Sequence, residues 1–309
     1  MYEQFTGSIT DIAGILAGHA TDECGRTGCT AILCPEGAVG GVDVAGGAPG
    51  TRETDLFNPG NLVQKIHAVT LCGGSAYGLN ACGGVMRYLE EQGVGLDVGV
   101  ARVPLVCGAV IFDLGVGDPK ARPDEAMGYA AAQAAASGPL AQGRVGAGTG
   151  ATIGKILGPA GAAQGGFGTC SITLPGGAKV AAAVAVNALG DVFDADTGAI
   201  ISGAKGPDGA FVNTAKAALQ FPVEGQTGCN TTIGVIATDA ALSREQCNRL
   251  ARVAQDGLAL SIRPVHTLND GDTLFALSTG RAAGDFNQIC VAAVEVLRRA
   301  VLRAVTREK

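Results

Sequence analysis

Forty-nine glycines and not one tryptophan limit what these 309 residues can pack into. Aromatics make up 4% of the chain and hydrophobic residues 47%. The core must therefore be assembled from Ala, Val, Leu and Ile, with backbones drawn close together where side chains are missing. Tightly stacked layers are expected in place of a loose bundle. The length suits one large domain or two small ones with a substantial core. Strands and helices alternate without a regular βαβ repeat, an internal repeat or a low-complexity linker, so a single α/β domain over 1–309 is expected.

Charge and cysteine usage exclude several classes of function. The net charge is −6 with a pI near 5.1, and basic residues are scattered except in the last helix, which argues against a nucleic-acid partner. No apolar run reaches the 18 or so residues of a membrane span, and Met-Tyr-Glu-Gln-Phe-Thr-Gly is not a signal-peptide start. A soluble, cytoplasmic protein is the expectation. The ten cysteines include no C-x-x-C and no nearby Cys/His pair, and most, such as Cys72, Cys107 and Cys170, lie in apolar runs. They read as small buried hydrophobes, so neither a metal nor a cofactor is expected.

Along the chain, residues 8–16, 29–34 and 38–44 are short apolar runs that predict an opening β-meander. The polar, glycine-dense stretch 42–55 is either a solvated connection or the rim of a cleft. A strand over 68–72 ends at Gly73-Gly74-Ser75, with Ser75 placed to cap a helix over 76–92 that stops at Gly93. Gly83-Gly84 inside that helix predicts close contact with a neighbouring backbone. An apolar run over 106–114 and a small-residue helix over 121–137 follow. Residues 143–154 are rich in glycine, yet they match neither the phosphate-loop nor the dinucleotide-binding pattern. Their glycines instead let a backbone approach Lys155 or a ligand closely. Strands over 166–174 and 179–186 form a hairpin through Pro175-Gly176-Gly177. Asn187 ends the second strand, either as a turn former or as a donor aimed at a site. A short helix over 210–219 and a mobile-looking linker over 220–227 come next. Ser243 and Gln246 form a capping box for a helix that runs to Pro264. An acidic turn, Asp270-Gly-Asp272, enters a buried strand, and the last helix, 286–307, carries Arg298, Arg299, Arg303 and Arg307 towards its C-terminus.

The stretch of most chemical interest is Gly228–Asp239, where Gly-Cys-Asn feeds Thr231 and Thr232 into an apolar, β-branched run. A hydroxyl there needs a base. His19, His67 and His266 lie in no recognisable nucleophile motif, and the G-x-S-x-G elbow is absent from this segment. A threonine that becomes the first residue of a chain carries its own base, an α-amine with a pKa of about 7.7–8.0. That route requires a cut between Asn230 and Thr231. Thr at a strand start also has an ordinary explanation in β-propensity.

Four motifs occur in order: Gly73-Gly74-Ser75-Ala-Tyr77-Gly-Leu, Gly148-Thr-Gly-Ala-Thr-Ile-Gly-Lys155, Asn230-Thr231-Thr232 and Asp270-Gly-Asp272-Thr-Leu-Phe-Ala. With them the chain resembles the L-aminopeptidase/D-esterase (DmpA-like) peptidase family over nearly its whole length. The resemblance implies a four-layer αββα sandwich and autocatalytic cleavage at Asn230|Thr231, giving chains 1–230 and 231–309. It also implies a homo-oligomer, a tetramer or larger. The layout is similar to that of the nylon-oligomer hydrolases. That similarity implies Thr231 as nucleophile, served by Lys155, Asn187, Asp270 and Asp272, with Tyr77 and Phe112 on the substrate side.

The resemblance departs from the aminopeptidase pattern at Val110 and Phe112, and the second acid is Asp272 where some members have Glu. Val110 stands where aminopeptidase members carry an acid for the substrate's ammonium, and Phe112 where they carry a tyrosine. The expected activity is hydrolysis of amide bonds in small peptides or amino-acid amides by a self-processing N-terminal threonine. The alternatives are acyl transfer of the ornithine acetyltransferase type, whose Ala-Thr-Met-Leu cleavage sequence is missing here, and an unprocessed small-molecule-binding protein.

Overall fold

The computed structural model describes residues 5–222 and 229–306. Among them, nine strands share one hydrogen-bonded sheet. They are β1 (Leu16–Asp22), β2 (Thr27–Val44), β3 (Thr51–Arg52), β4 (Lys65–Cys72), β5 (Val106–Val110), β6 (Gly166–Thr173), β7 (Lys179–Asn187), β8 (Thr231–Ala240) and β9 (Thr273–Ala282). The helices are α1 (Ala81–Glu91), α2 (Glu125–Gln133), α3 (Thr214–Ala218), α4 (Arg244–Ser261) and α5 (Phe286–Val305). The strand order is β6-β7-β8-β9-β2-β4-β5-β3, with β1 also paired to β2. The β8/β9 and β4/β5 pairs are parallel.

Side-chain alternation turns this connected sheet into two layers. On β7, Val180, Ala182, Val184 and Val186 face α4 and α5, while Ala181, Ala183 and Ala185 face the opposite way. There they join Ile233 and Val235 of β8, Phe275 of β9, and Ile32, Val69 and Cys107 of the other half of the sheet. On that other half, Cys29, Ala31, Leu33, Ala68 and Val106 point outward against Val85 and Leu89 of α1 and Ala131 of α2. Three apolar interfaces thus separate four layers in the order α, β, β, α, the sandwich expected from the resemblance. The two β layers share β2, whose residues 29–39 pair with β4 and whose residues 39–44 pair with β9.

Glycine sets how closely the layers approach. A Cβ on Gly41 of β2 would lie 2.3 Å from the Asn248 main-chain nitrogen in α4, and one on Gly168 of β6 would lie 2.0 Å from the Ala300 carbonyl in α5. At the α1/α2 crossing, Gly84 faces the Glu125 carbonyl and Gly128 the Ala81 carbonyl, with Cβ positions 1.8 and 1.9 Å away. The close backbone contact expected at Gly83-Gly84 is therefore made by Gly84.

Several expected elements are corrected. Residues 29–34 and 38–44 belong to one strand, because Pro35 and Gly37 (φ +76°) produce a register shift within β2 and do not end it. The first run contributes a 3-10 turn at Ile9–Asp11. Ser75 does not cap α1. Its φ is +54°, it opens a 3-10 turn over Ser75–Asn80, and α1 begins only at Ala81. α2 is shorter than expected at both ends: Asp124, bonded to the Met127 N–H, caps it so that it starts four residues late, and it ends at Gln133. α3 spans only Thr214–Ala218, and most of the linker expected over 220–227 lies outside the described residues. Arg298 and Arg299 pair with Asp196, while Arg303 donates to carbonyls of Thr6, Gly7 and Thr169. Their role is cross-linking more than complementing a helix dipole; Arg307 is not among the described residues. Among the described residues no helix is long and apolar enough to cross a membrane.

Gly84→Val should force α1 and α2 apart and destabilise the protein by about 1–3 kcal/mol, seen as a lower melting temperature. Gly83→Ala meets only the flexible Glu125 side chain at 3.2 Å and should be neutral or stabilising by up to ~1 kcal/mol through helix propensity.

Candidate active site

Topology brings three strand ends together. β7 runs antiparallel to β8, so its last residue, Asn187, pairs with the first residue of β8, Thr231. β9 runs parallel to β8, so the turn that enters it, Asp270-Gly271-Asp272, also lies at this end. Asn230 and Asp270 continue the ladder as a parallel bridge. Thr231 and Asp270 are almost fully enclosed, at 3% and 2% exposure.

The peptide between Asn230 and Thr231 is held in a specific setting. The Asn230 carbonyl accepts the Gly271 N–H at 2.9 Å and the Thr231 hydroxyl. A Cβ on Gly271 would stand 2.9 Å from Thr231 Oγ1, so the missing side chain makes room for the hydroxyl. The glycine-rich connection before β3 braces this turn, with Ala45 N–H on the Asp272 carbonyl and Ala48 N–H on the Asp270 carbonyl. The stretch combines its two possible readings: most of it is at the surface, while Ala45 and Ala48 are bonded to the 270–272 turn.

Lys155 arrives on the other side. Its Nζ donates to the Asn187 carbonyl, to Asn187 Oδ1 and to the Cys229 carbonyl, each at 2.9 Å. Three acceptors match the three donors of an ammonium. Burial pushes the Lys155 pKa down to about 7, against the opposing pull of Cys229, Asp270 and Asp113. The glycine-rich segment before it permits this approach. A Cβ on Gly154 (φ +66°) would meet the Ala204 main-chain nitrogen at 2.1 Å. Asn187 Oδ1 also accepts the Thr152 N–H at 2.9 Å, and Nδ2 donates to the Phe112 carbonyl at 3.0 Å and the Cys229 carbonyl at 3.3 Å. The Asn187 side chain is thus engaged through both its oxygen and its nitrogen beside Cys229.

The two acids differ in environment. Asp272 Oδ1 accepts the Thr232 N–H at 2.6 Å, and Oδ2 accepts from the His266 main chain and ring. Asp270 Oδ2 accepts the Thr267 N–H at 2.6 Å. Burial first, then the Asp272 charge, raises the Asp270 pKa above the ordinary carboxylate range. For His266, burial lowers the pKa, but the bond and charge of Asp272 outweigh it and the net shift is upward.

A cavity of about 480 Å³ opens beside these groups, lined by Phe112, Val116, Lys155, Ile156, Leu189, Cys229, Asn230 and Asn269 among others. Phe112 lines it as expected. Tyr77 does not line it: it is 55% exposed, with its ring 3.7 Å under the Arg122 guanidinium. Val110 is buried within β5. Sequence reasoning missed Asp113, whose oxygens accept from Thr27 Oγ1 and the Gly74 N–H and whose burial raises its pKa. Its only signal was a lone acid at the end of an apolar run. His266, Gly271 and the Cys229 carbonyl were also missed as parts of the site.

A family model described as Peptidase family S58 matches residues 7–309. The chain belongs to that family. Its members are hydrolases of peptide and amide bonds, and this chain is one of them. Among its relatives are an uncharacterised aminopeptidase of Mycobacterium leprae, 46% identical over 96% of this chain and 90% of the relative. Another is a 6-aminohexanoate-oligomer endohydrolase of Kocuria, 34% identical over 95% of this chain and 84% of that one. The L-aminopeptidase D-Ala-esterase/amidase of Ochrobactrum anthropi, described as a variant of the Ntn hydrolase fold, superposes with a TM-score of 0.69. That comparison covers 96% of this chain and 85% of the other at 22% identity.

Lowering of the Lys155 pKa has a thermodynamic consequence. Its burial cost is fully present below about 7 and is relieved as pH rises from there towards the unfolded value near 10.4. In a Thr231→Ala background, the Lys155 form should gain stability relative to Lys155→Met between pH 7 and 10, measured by thermal unfolding at both pH values.

Proposed function

We propose that this S58 peptidase processes itself at Asn230|Thr231 and then uses Thr231 as an N-terminal nucleophile on amides of small peptides or amino acids. The observation that carries the reading is the Asn230 carbonyl, which accepts both the Thr231 hydroxyl and the Gly271 N–H. In processing, Oγ1 bonds to the Asn230 carbonyl carbon and the C–N bond to Thr231 breaks, the amine taking the proton. The Gly271 N–H stabilises the developing oxyanion. Water then hydrolyses the ester, leaving the Asn230 carboxylate and a free α-amine on Thr231.

In turnover the amine accepts the hydroxyl proton as Oγ1 attacks the substrate, then delivers it to the leaving amine. Water clears the acyl-enzyme. Asp272 holds the adjoining Thr232 peptide in place, and Asp270 adds negative charge beside the α-amine. Lys155, as a cation, opposes that charge and keeps the amine partly deprotonated at neutral pH. Lys155 Nζ and Asn187 Nδ2 both donate to the Cys229 carbonyl in the continuous chain. Withdrawal of the new C-terminus after cleavage transfers these donors to the substrate carbonyl.

The cavity lining supports a substrate with an apolar acyl portion. It contains Phe112, Val116, Ile156 and Leu189, and no carboxylate among the described lining residues. With Val110 and Phe112 at the positions of the aminopeptidase acid and tyrosine, a free ammonium two bonds from the scissile carbonyl has no anchor there. Amides of ω-amino acids, as in the substrate named for the Kocuria relative, fit this lining.

Denaturing gels and mass spectrometry of the purified protein should show chains ending at Asn230 and beginning at Thr231. Thr231→Ala should remain one chain and release no p-nitroaniline from ω-amino-acid anilides that the wild-type enzyme cleaves. An active, continuous wild-type polypeptide would overturn the proposal. Asn187→Ala should cut kcat by about 10²–10³-fold through loss of an oxyanion donor. Added acceptor amines should not divert the acyl group if hydrolysis is the activity.

A further inference from the structure

The two oxygens of Asp272 have separate partners. Oδ1 takes the N–H of Thr232, the residue that adjoins the nucleophile, at 2.6 Å. Oδ2 takes two bonds from one residue, the His266 main-chain N–H at 3.0 Å and His266 Nδ1 at 2.8 Å. His266 makes both from a left-handed backbone, φ +58°, a conformation uncommon for non-glycine residues in general though adopted more readily by His, Asn and Asp. The two bonds to Asp272 Oδ2 hold the residue in that conformation.

The imidazole faces away from the reacting atoms. Its Nε2 is enclosed by protein beside the main chain of Gln255 in α4, and His266 is not among the residues lining the cavity. Asp272 is 1% exposed, so the donors around it stand in for water. Removing the ring leaves Oδ2 with one donor and lets the carboxylate rotate away from Thr232.

We propose that His266 is a positioning residue that fixes the carboxylate of Asp272 and, through the Thr232 peptide, the placement of the Thr231 hydroxyl and amine. The inference rests on the assignment of Thr231 as nucleophile. Because the ring acts on the nucleophile side and not on the cavity, its loss should lower kcat and slow processing while leaving KM little changed.

Three full-length variants separate the hydrogen bond from the backbone conformation. His266→Gly keeps the left-handed φ at no steric cost and removes the ring. His266→Asn also tolerates that φ and places an amide N–H near the position of Nδ1. His266→Ala removes the ring and retains the strain. Processing is followed by mass spectrometry, kcat and KM with a small anilide, and folding by thermal unfolding. His266→Gly and His266→Ala should lose about 10–100-fold in kcat, the scale of a small misplacement of a reacting group. His266→Asn should recover most of that loss. A His266→Gly enzyme with wild-type kcat, or a His266→Asn enzyme no better than His266→Gly, would overturn the inference. If His266→Ala fails to fold, the Gly and Asn forms decide the question. Thr231→Ala is measured alongside: residual turnover there would remove the nucleophile assignment itself, a result distinct from either outcome at His266.

Discussion

The pairing of β8 is the constraint on which the site depends. One neighbour runs antiparallel and the other parallel, so the C-terminal end of β7 and the entry turn of β9 meet the first residue of β8. Asn187, Asp270 and Asp272 are thereby delivered to Thr231 by main-chain hydrogen bonds alone. Side-chain contacts then adjust a geometry that the ladder has already established. A one-residue slip of register would turn Thr231 to the other face of the sheet. The Val and Ala faces of β7 and the buried Ile233, Val235 and Ile236 of β8, packed on both sides, make such a slip costly.

Glycine serves the layers and the site in the same way, by letting main chain approach main chain. Between layers it brings β2 and β6 against α4 and α5. At the site, Gly271 leaves room for the Thr231 hydroxyl, and the glycines before Lys155 let that segment reach the end of β7. The result is a centre in which main-chain groups carry much of the electrostatics. The Gly271 N–H polarises one carbonyl, and the Lys155 ammonium gathers three oxygens. Such groups are oriented before any reaction, so little reorganisation is needed as charge develops.

The charged groups are arranged in opposition. Burial drives the Lys155 pKa down and the Asp270 pKa up, each towards the neutral form. The charge of Asp270 restrains the first shift, and hydrogen bonds from Thr267 with the charge of His266 restrain the second. An amine located between such groups is tuned by their balance, which is the requirement for a base working near neutral pH.

Much was legible in the sequence because it depends on neighbours along the chain. The hairpin of β6 and β7, the capping box of α4, the acidic turn into β9 and the hydroxyl at the mouth of β8 are all local patterns. The family motifs, read in order, carried the layer architecture and the grouping of Thr231, Lys155, Asn187, Asp270 and Asp272. Local reading failed where a breaker residue was absorbed by pairing. Pro35 and Gly37 look like a turn, yet β4 pairs with β2 on either side of them across a register shift, so the strand continues. It failed again at Ser75, whose left-handed backbone removed the cap its side chain promised.

Composition and pattern, then, determined that the chain would form close-packed α and β layers with a threonine leading a buried central strand. Tertiary structure alone decided which main-chain carbonyls face Lys155 and Asn187, that Tyr77 lies away from the cavity, and that His266 stands behind Asp272. Those relations join residues up to 75 positions apart, or rest on a backbone dihedral. Hydrophobic period and residue type carry information about the face a side chain takes, and none about the distant group it will meet.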